Sequence, residues 1–314
     1  MSLTSHIDSK QSPLRRLMDA RFPGVREVRA SYQSHLARDV PVLVPEPSHG
    51  VRPAWGTLGA AIDHRLRYAL ASEVRPGGAT IGGIKRAARL RQDSDGQGQA
   101  LFELGKAVLG DLMRTVHTHR PSDRTRAVLL PAEVEEHLVR CCYAAAWFEE
   151  VFRSHRLAPS TPIGAVEIPS SLDGLLATVP AYAVRDVMGV VAVAAGGLAQ
   201  VRRDWGAEDV VVGPTFDGSA AVGGADGDWI AGRTLVDVKA TVKPRDLDLK
   251  TLYQLLGYVL LDFSDAYQID EVGIYAARAG VLVTWPLDQF VRLAGASASV
   301  RELRREMQAV VSSL

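Results

Sequence analysis

The chain is expected to be an α+β protein, a mixed α/β sheet built beside many helices, and three observations lead there. Apolar residues recur at helical spacing through most of residues 55–204. From 205 onward, short β-prone runs at 209–213, 229–231, 234–236, 271–276 and 281–285 alternate with glycine- and aspartate-rich turns. A single amphipathic helix, with Leu252, Leu255, Leu256, Val259 and Leu260 as its buried stripe, separates the third run from the fourth.

In chain order, residues 1–54 are punctuated by prolines and mixed in charge. They predict an arm with a helix around 14–19 and a strand near 40–44. Residues 55–204 predict a mainly helical region, broken at 75–78, 92–97 and 159–169 by proline, glycine and polar clusters. The sheet region occupies 205–314: a first strand at 209–213, a turn-rich bend at 215–219, a hairpin at 229–236 and the amphipathic helix. A second hairpin turns around Ala279 and Gly280, and 297–314 reads as a closing helix. Neither an internal repeat nor a low-complexity tract interrupts this order.

Composition narrows the possibilities. The 314 residues, 47% of them hydrophobic, can bury one large core or two modest ones. With 36 Lys and Arg against 36 Asp and Glu, the chain lacks the overall positive charge of a non-specific nucleic-acid binder. Local basic clusters remain. Lys85, Arg86, Arg89 and Arg91 form the densest; Arg114, Arg120, Arg124 and Arg126 are spread out, and Arg301, Arg304 and Arg305 alternate with Glu302 and Glu306. The two cysteines, Cys141 and Cys142, are neighbours on an expected helix, a poor disulfide geometry that suits a reducing cytoplasm. They are too few for a four-cysteine iron–sulfur cluster. No basic-then-apolar leader opens the sequence, and the apolar run 187–199 is too short to span a membrane, so it reads as a packed helix.

Three motif-like stretches fail on geometry. Asp93 to Gly98 resembles the start of a calcium loop but lacks the acid at the twelfth position, which is Leu104. Gly77 to Gly83 lacks the Lys-Ser/Thr ending of a phosphate loop, and His117 with His119 has no further ligands nearby in sequence.

The chemistry concentrates between 226 and 258. Gly232-Arg233, glycine first, suits a two-residue type II′ turn joining 229–231 to 234–236. If Ala231 pairs with Thr234, Asp228 faces Asp237 and Asp226 faces Lys239, all on one side of the hairpin. Opposed carboxylates repel unless a cation lies between them, and a hard divalent ion with oxygen ligands is the natural remedy. The plain structural reading is a solvated hairpin face with an Asp–Lys pair. In the helix that follows, Asp246 or Asp248 can serve as cap, Gln254 and Tyr258 stand one above the other four residues apart, and Gly257 suggests a close approach to another backbone or a ligand.

The pattern D-x(n)-D-x-K followed by Q-x-x-x-Y resembles the PD-(D/E)XK nuclease superfamily, its RecB-like branch in particular. The motif residues cover about a tenth of the chain and their elements about a third. The resemblance implies a restriction-endonuclease-like core of about five strands in the order αβββαβ. It implies that Asp228 and Asp237, with the Val238 carbonyl, ligate Mg2+ or Mn2+; that Lys239 orients or deprotonates water and stabilises phosphate charge; and that Gln254 and Tyr258 steady the substrate backbone or the metal shell. Gly227 stands where the family has proline, and Asp226 is an alternate to Asp228. The family's first motif, an acid four residues after a glycine on a preceding helix, matches Gly59 and Asp63, with Glu149 and Glu150 as rivals. The expected function is therefore a magnesium-dependent deoxyribonuclease, with DNA as substrate and protein partners from bacterial antiviral defence or repair. The alternatives are a catalytically silent nucleic-acid-binding or scaffold subunit with the same fold, and a nucleotide-processing or RNA-cleaving enzyme using the same site.

Overall fold

The computed structural model describes residues 2–70, 75, 77–92, 96–119, 129–205 and 210–314, with the side chains of 199–205 excepted. Contacts divide the chain into two compact units, Met1–Val42 with Asp209–Leu314, and Leu43–Glu208. The segment 1–54, expected as an arm, is thus shared: its first 42 residues belong to the sheet unit and the rest to the helical unit.

The sheet unit is built on five strands, β1 (Val210–Val212), β2 (Trp229–Ala231), β3 (Thr234–Lys239), β4 (Glu271–Ala276) and β5 (Val281–Pro286), adjacent in that order. All pairs are antiparallel except β3 with β4, which run parallel. A parallel pair requires a crossover, and α10 (Leu249–Leu261) supplies it. The β2–β3 turn has Gly232 at φ 58°, a conformation glycine adopts without a Cβ penalty, and Ala231 faces Thr234 as the turn length requires. The Asp248 side chain caps α10 by accepting the Thr251 N–H at 2.7 Å.

Helix α10 is buried on almost every side, so its amphipathic stripe is only part of its packed surface; past its first two residues, only Gln254 is not fully buried. Its neighbours within the unit are β3, α1 (Leu3–Asp8) and α12 (Val300–Val311). A Cβ on Gly257 would meet the Leu3 side chain at 3.1 Å, so the close approach made by this glycine is to α1. α2 (Pro13–Arg21) covers the expected helix at 14–19 and packs on α12; α3 (Val25–Ser34) packs on α11 (Leu287–Leu293). The closing helix starts at Val300 because Ser299 and Glu302 form a capping box there.

Two expectations are corrected. Residues 40–44 form no strand: three prolines, at 41, 45 and 47, remove ladder donors from this stretch. The apolar run 187–199, read as too short to span a membrane, is part of the longer helix α9 (Ala181–Trp205), whose window Ala181–Leu198, mean hydropathy 1.4, is by length and composition long and apolar enough to cross one. That window is 44% buried, and α9 packs against α4 and α7 of its own unit.

The helical unit comprises α4 (Trp55–Leu70), α5 (Gly78–Leu90), α6 (Gln97–Thr118), α7 (Ala132–Ser154), α8 (Leu172–Ala177) and α9. Helix α7 is its centre, apolar on most faces and packed by α4, α5, α6, α8 and α9. Gly83 lets α5 approach closely: a Cβ there would lie 1.8 Å from the Phe148 carbonyl oxygen. Among the basic residues noted in sequence, Arg120, Arg124 and Arg126 lie outside the described residues, as do Asp93 to Asp95 of the calcium-like loop.

Candidate active site

The β2–β3 ladder stops at Trp229 opposite Val236. Beyond it the strands part. The β2 side follows the continuation of β1: Gly213 N–H donates to the Asp228 carbonyl, Gly227 N–H to the Pro214 carbonyl, and Asp226 bridges Thr215. β3 instead stays with β4, placing Asp237 beside Ile274 and Lys239 beside Ala276. The expected pairing of Asp226 with Lys239 is therefore not formed, because each strand keeps its other neighbour. Asp226 is exposed.

The side chain of Asp228 enters the opening and accepts the Val238 N–H at 2.6 Å. In a strand the N–H and C=O of one residue point to the same edge, and Lys239 presents its carbonyl to Ala277 on the β4 side. The Val238 carbonyl accordingly points to the same opening as the Asp228 carboxylate.

Asp237 is 1% exposed. The Lys239 ammonium lies 2.7 Å from its Oδ2, an ion pair off the hydrogen-bond direction, and Oδ1 has no hydrogen-bond partner among the described residues. Burial pushes the Asp237 carboxyl up to about 6; Lys239 opposes the rise and the Asp228 charge adds to it. Burial disfavours the Lys239 charge, but Asp237 and Asp228 outweigh it and hold the ammonium above the ordinary lysine value.

Helix α10 delivers the rest of the cluster, the half-buried Gln254 and the buried Tyr258 one turn on. Lys239 Nζ donates to Gln254 Oε1 at 3.3 Å, and Gln254 Nε2 donates to the Tyr258 hydroxyl at 2.6 Å. Lysine can only donate, which fixes the amide with its oxygen towards Lys239 and its nitrogen towards Tyr258. The tyrosine ring stacks on Phe216, centroids 5.6 Å apart. Burial, then the Asp237 and Asp228 charges, raise its hydroxyl well above the usual tyrosine value, so it stays protonated. Phe216 was not singled out in sequence: it lies in the bend after β1, a region read only as turn-rich. The Asp248 cap also adds negative charge near Lys239.

The candidates for the first motif lie in the helical unit, each engaged there. Asp63 is held by Arg67 on the same helix, at 2.9 and 2.8 Å. Glu149 lies 2.9 Å from His64 and 2.5 Å from Arg153; against the upward push of burial, these two hold its carboxyl well below the usual range. Glu150 is exposed and accepts the Thr57 hydroxyl at 3.3 Å. Within the sheet unit, Asp228, Asp237, Lys239, Gln254 and Tyr258 form the cluster.

Such a cluster suits a hard cation. A buried carboxylate oxygen with no donor among the described residues, a second carboxylate and a main-chain carbonyl at one strand opening make an all-oxygen donor set of the kind hard divalent ions take. Comparison of the chain with protein-family models, curated proteins and solved structures finds no match.

Proposed function

We propose that the protein is a divalent-metal-dependent nuclease hydrolysing DNA phosphodiester bonds, with a restriction-endonuclease-like sheet as its catalytic core. The observation that carries this reading is the Asp237 carboxylate: buried, beside Lys239 and Asp228, with Oδ1 lacking a donor among the described residues. Leaving such a group uncompensated costs about 1–3 kcal/mol, more when it is charged, and an ion pair off the hydrogen-bond direction offsets only part of it. A site that holds a cation in use explains the arrangement; packing alone does not.

Asp228, Asp237 and the Val238 carbonyl would hold Mg2+ or Mn2+, which supplies Lewis-acid stabilisation and a more acidic bound water. Because Asp237 and Asp228 hold Lys239 protonated, its resting role is that of a cationic donor, neutralising charge that develops on a phosphate oxygen. Gln254 accepts from this ammonium and fixes where it points. The Tyr258 hydroxyl accepts from Gln254 and keeps its own hydrogen to donate, which suits a phosphate oxygen of the substrate backbone. Local basic residues outside this cluster would bind the polyanion, since the whole chain has no net charge to do so.

The test is cleavage of linear, circular, single- and double-stranded DNA, and of RNA, by the purified chain with magnesium or manganese and with chelator. Metal-dependent DNA cleavage is expected, and Lys239→Ala should reduce it about 10^2–10^4-fold, the span of a positioned proton-bearing group, while magnesium binding persists. Protein that binds DNA but never cuts it would leave a silent scaffold as the reading. Cleavage confined to RNA would reassign the substrate, and undiminished cutting by Lys239→Ala would reject this site.

A further inference from the structure

In the helical unit, well apart in sequence from the acidic cluster, three different donor types converge between two helices. His137 and Cys141 stand one turn apart on α7, and Asp111 faces them from α6. The carboxylate oxygen, the imidazole nitrogen and the thiol sulfur all lie within 4.8 Å of one another. His137 Nε2 is 2.5 Å from Asp111 Oδ2, Cys141 Sγ is 3.4 Å from that oxygen and 3.8 Å from Nε2.

Zinc binds sulfur at about 2.3 Å and nitrogen or oxygen at about 2.0–2.2 Å in a tetrahedron, so its ligand atoms sit roughly 3.3–3.8 Å apart. The two sulfur distances already fall in that range. Only the Asp111–His137 pair must open, by roughly 1 Å, and the mobile partner is His137, whose side chain is 41% exposed, while the Asp111 carboxylate, inside α6, is 12% exposed. Arg114 holds the other Asp111 oxygen at 2.5 Å, the outer hydrogen bond that orients a ligating carboxylate. Cys141, by contrast, is wholly buried and fixed on α7.

We propose that Asp111, His137 and Cys141 form a three-ligand site for zinc, or another ion that accepts both sulfur and nitrogen, with the fourth position open to water on the His137 side. Thiolate, imidazole and carboxylate together are a donor set that zinc favours and magnesium does not. On binding, the thiol proton is displaced to solvent and sulfur bonds to the metal; nothing is oxidised or reduced. A cysteine nucleophile does not fit the same residues, because burial, and Asp111 beside the sulfur, push the thiol up and keep it protonated.

The experiment is titration of the full chain with Co2+, followed by absorption, then competition with Zn2+. Only a thiolate ligand gives the near-ultraviolet sulfur-to-cobalt band, and the chain has two cysteines, Cys141 and Cys142, so the oxygen ligands of the sheet unit cannot produce it. A band saturating at a single equivalent and bleached by Zn2+ is expected. It should vanish in Cys141→Ser and survive in Cys142→Ser. His137→Gln, at a half-exposed position that tolerates change, should weaken cobalt binding at least about tenfold, the lower end of what even outer-sphere changes cost. Far-ultraviolet circular dichroism establishes that each variant is folded. Folded wild-type protein without the band would overturn the proposal and leave a hydrogen-bonded contact between α6 and α7. A band that survives Cys141→Ser, or an affinity untouched by His137→Gln, would overturn it equally.

Discussion

Asp237→Asn separates a metal ligand from a structural ion-pair partner. Burial places the folded-state Asp237 pKa at about 6, against 3.8 for the free side chain. Two units are worth about 3 kcal/mol. The sign follows from proton linkage: the unfolded chain releases this proton at lower pH than the folded one. The contribution to stability is therefore fully present below the unfolded value and is lost as pH rises through the folded value. Asparagine has a similar shape and no charge to desolvate. Without metal the variant should match wild type at about pH 3 and exceed it by up to about 3 kcal/mol at about pH 7. Lys239, 28% exposed, can return its ammonium to water when the carboxylate is gone. Magnesium at a hundredfold excess over its dissociation constant should stabilise wild type by about 2.7 kcal/mol and the variant hardly at all. Urea unfolding at the two pH values, with and without magnesium, measures all four quantities. A variant weaker by about 3–5 kcal/mol at neutral pH, the cost of breaking a buried pair, and equally responsive to magnesium, would refute the reasoning: Asp237 would then be the structural partner of Lys239.

Three further outcomes follow from other contacts. Tyr258→Phe keeps the stack on Phe216 but removes the hydroxyl that receives Gln254; it should cost about 1 kcal/mol of stability and, by freeing the amide that orients Lys239, lower kcat/KM for DNA about tenfold, with unaltered kinetics counting against a positioning role. Arg65→Met breaks a bidentate pair with Glu135, at 2.6 and 2.7 Å and almost wholly buried; a loss of about 3–5 kcal/mol is expected, and Glu135→Leu added to it should restore most of that, as thermal unfolding would show. Gly83→Ala sets a Cβ 1.8 Å from the Phe148 carbonyl, a backbone atom that cannot swing aside, and should destabilise the helical unit by about 3 kcal/mol or more, measurable by urea unfolding.

The elements most legible in the sequence are those whose signal is local. The Gly232-Arg233 turn sets Ala231 against Thr234, and the apolar stripe of α10, with a cap read at Asp246 or Asp248 and found at Asp248, puts Gln254 and Tyr258 on one face. The continuation of the hairpin was not legible, because it depends on competition between neighbours: β2 is held by β1 and β3 by β4, so the ladder opens after Val236. Simple alternation carried past that point set Asp226 against Lys239, whereas Asp226 pairs with Thr215. The Gly59–Asp63 spacing is a local pattern within one helix, where the structure pairs Asp63 with Arg67. Phe216 and the α1 contact at Gly257 escape, since neither carries a periodic signal. The Asp111–His137–Cys141 cluster joins two helices across a stretch with no pattern linking them. Its only trace in sequence is the i, i+4 spacing of His137 and Cys141.

The parting of β2 from β3 also explains why the proposed site lies where it does. While the ladder holds, every polar group between the strands is satisfied by its partner, and nothing is left to bind a cation or a phosphate. One residue past Val236 that exchange ends. The Val238 N–H would be an orphan donor in the interior, and the Asp228 carboxylate supplies its acceptor. That contact brings a charge to the opening, beside the Val238 carbonyl, and Asp237 follows from the neighbouring position on β3. Two acids this close are unfavourable in a packed sheet, which the upward push on Asp237 expresses. The next outward position on the same strand, Lys239, offsets part of that cost and is itself pinned by Gln254 from the crossover helix. Strand and helix therefore converge where the β2–β3 ladder is open. The remaining imbalance, an uncompensated oxygen on Asp237, is what a divalent cation would correct.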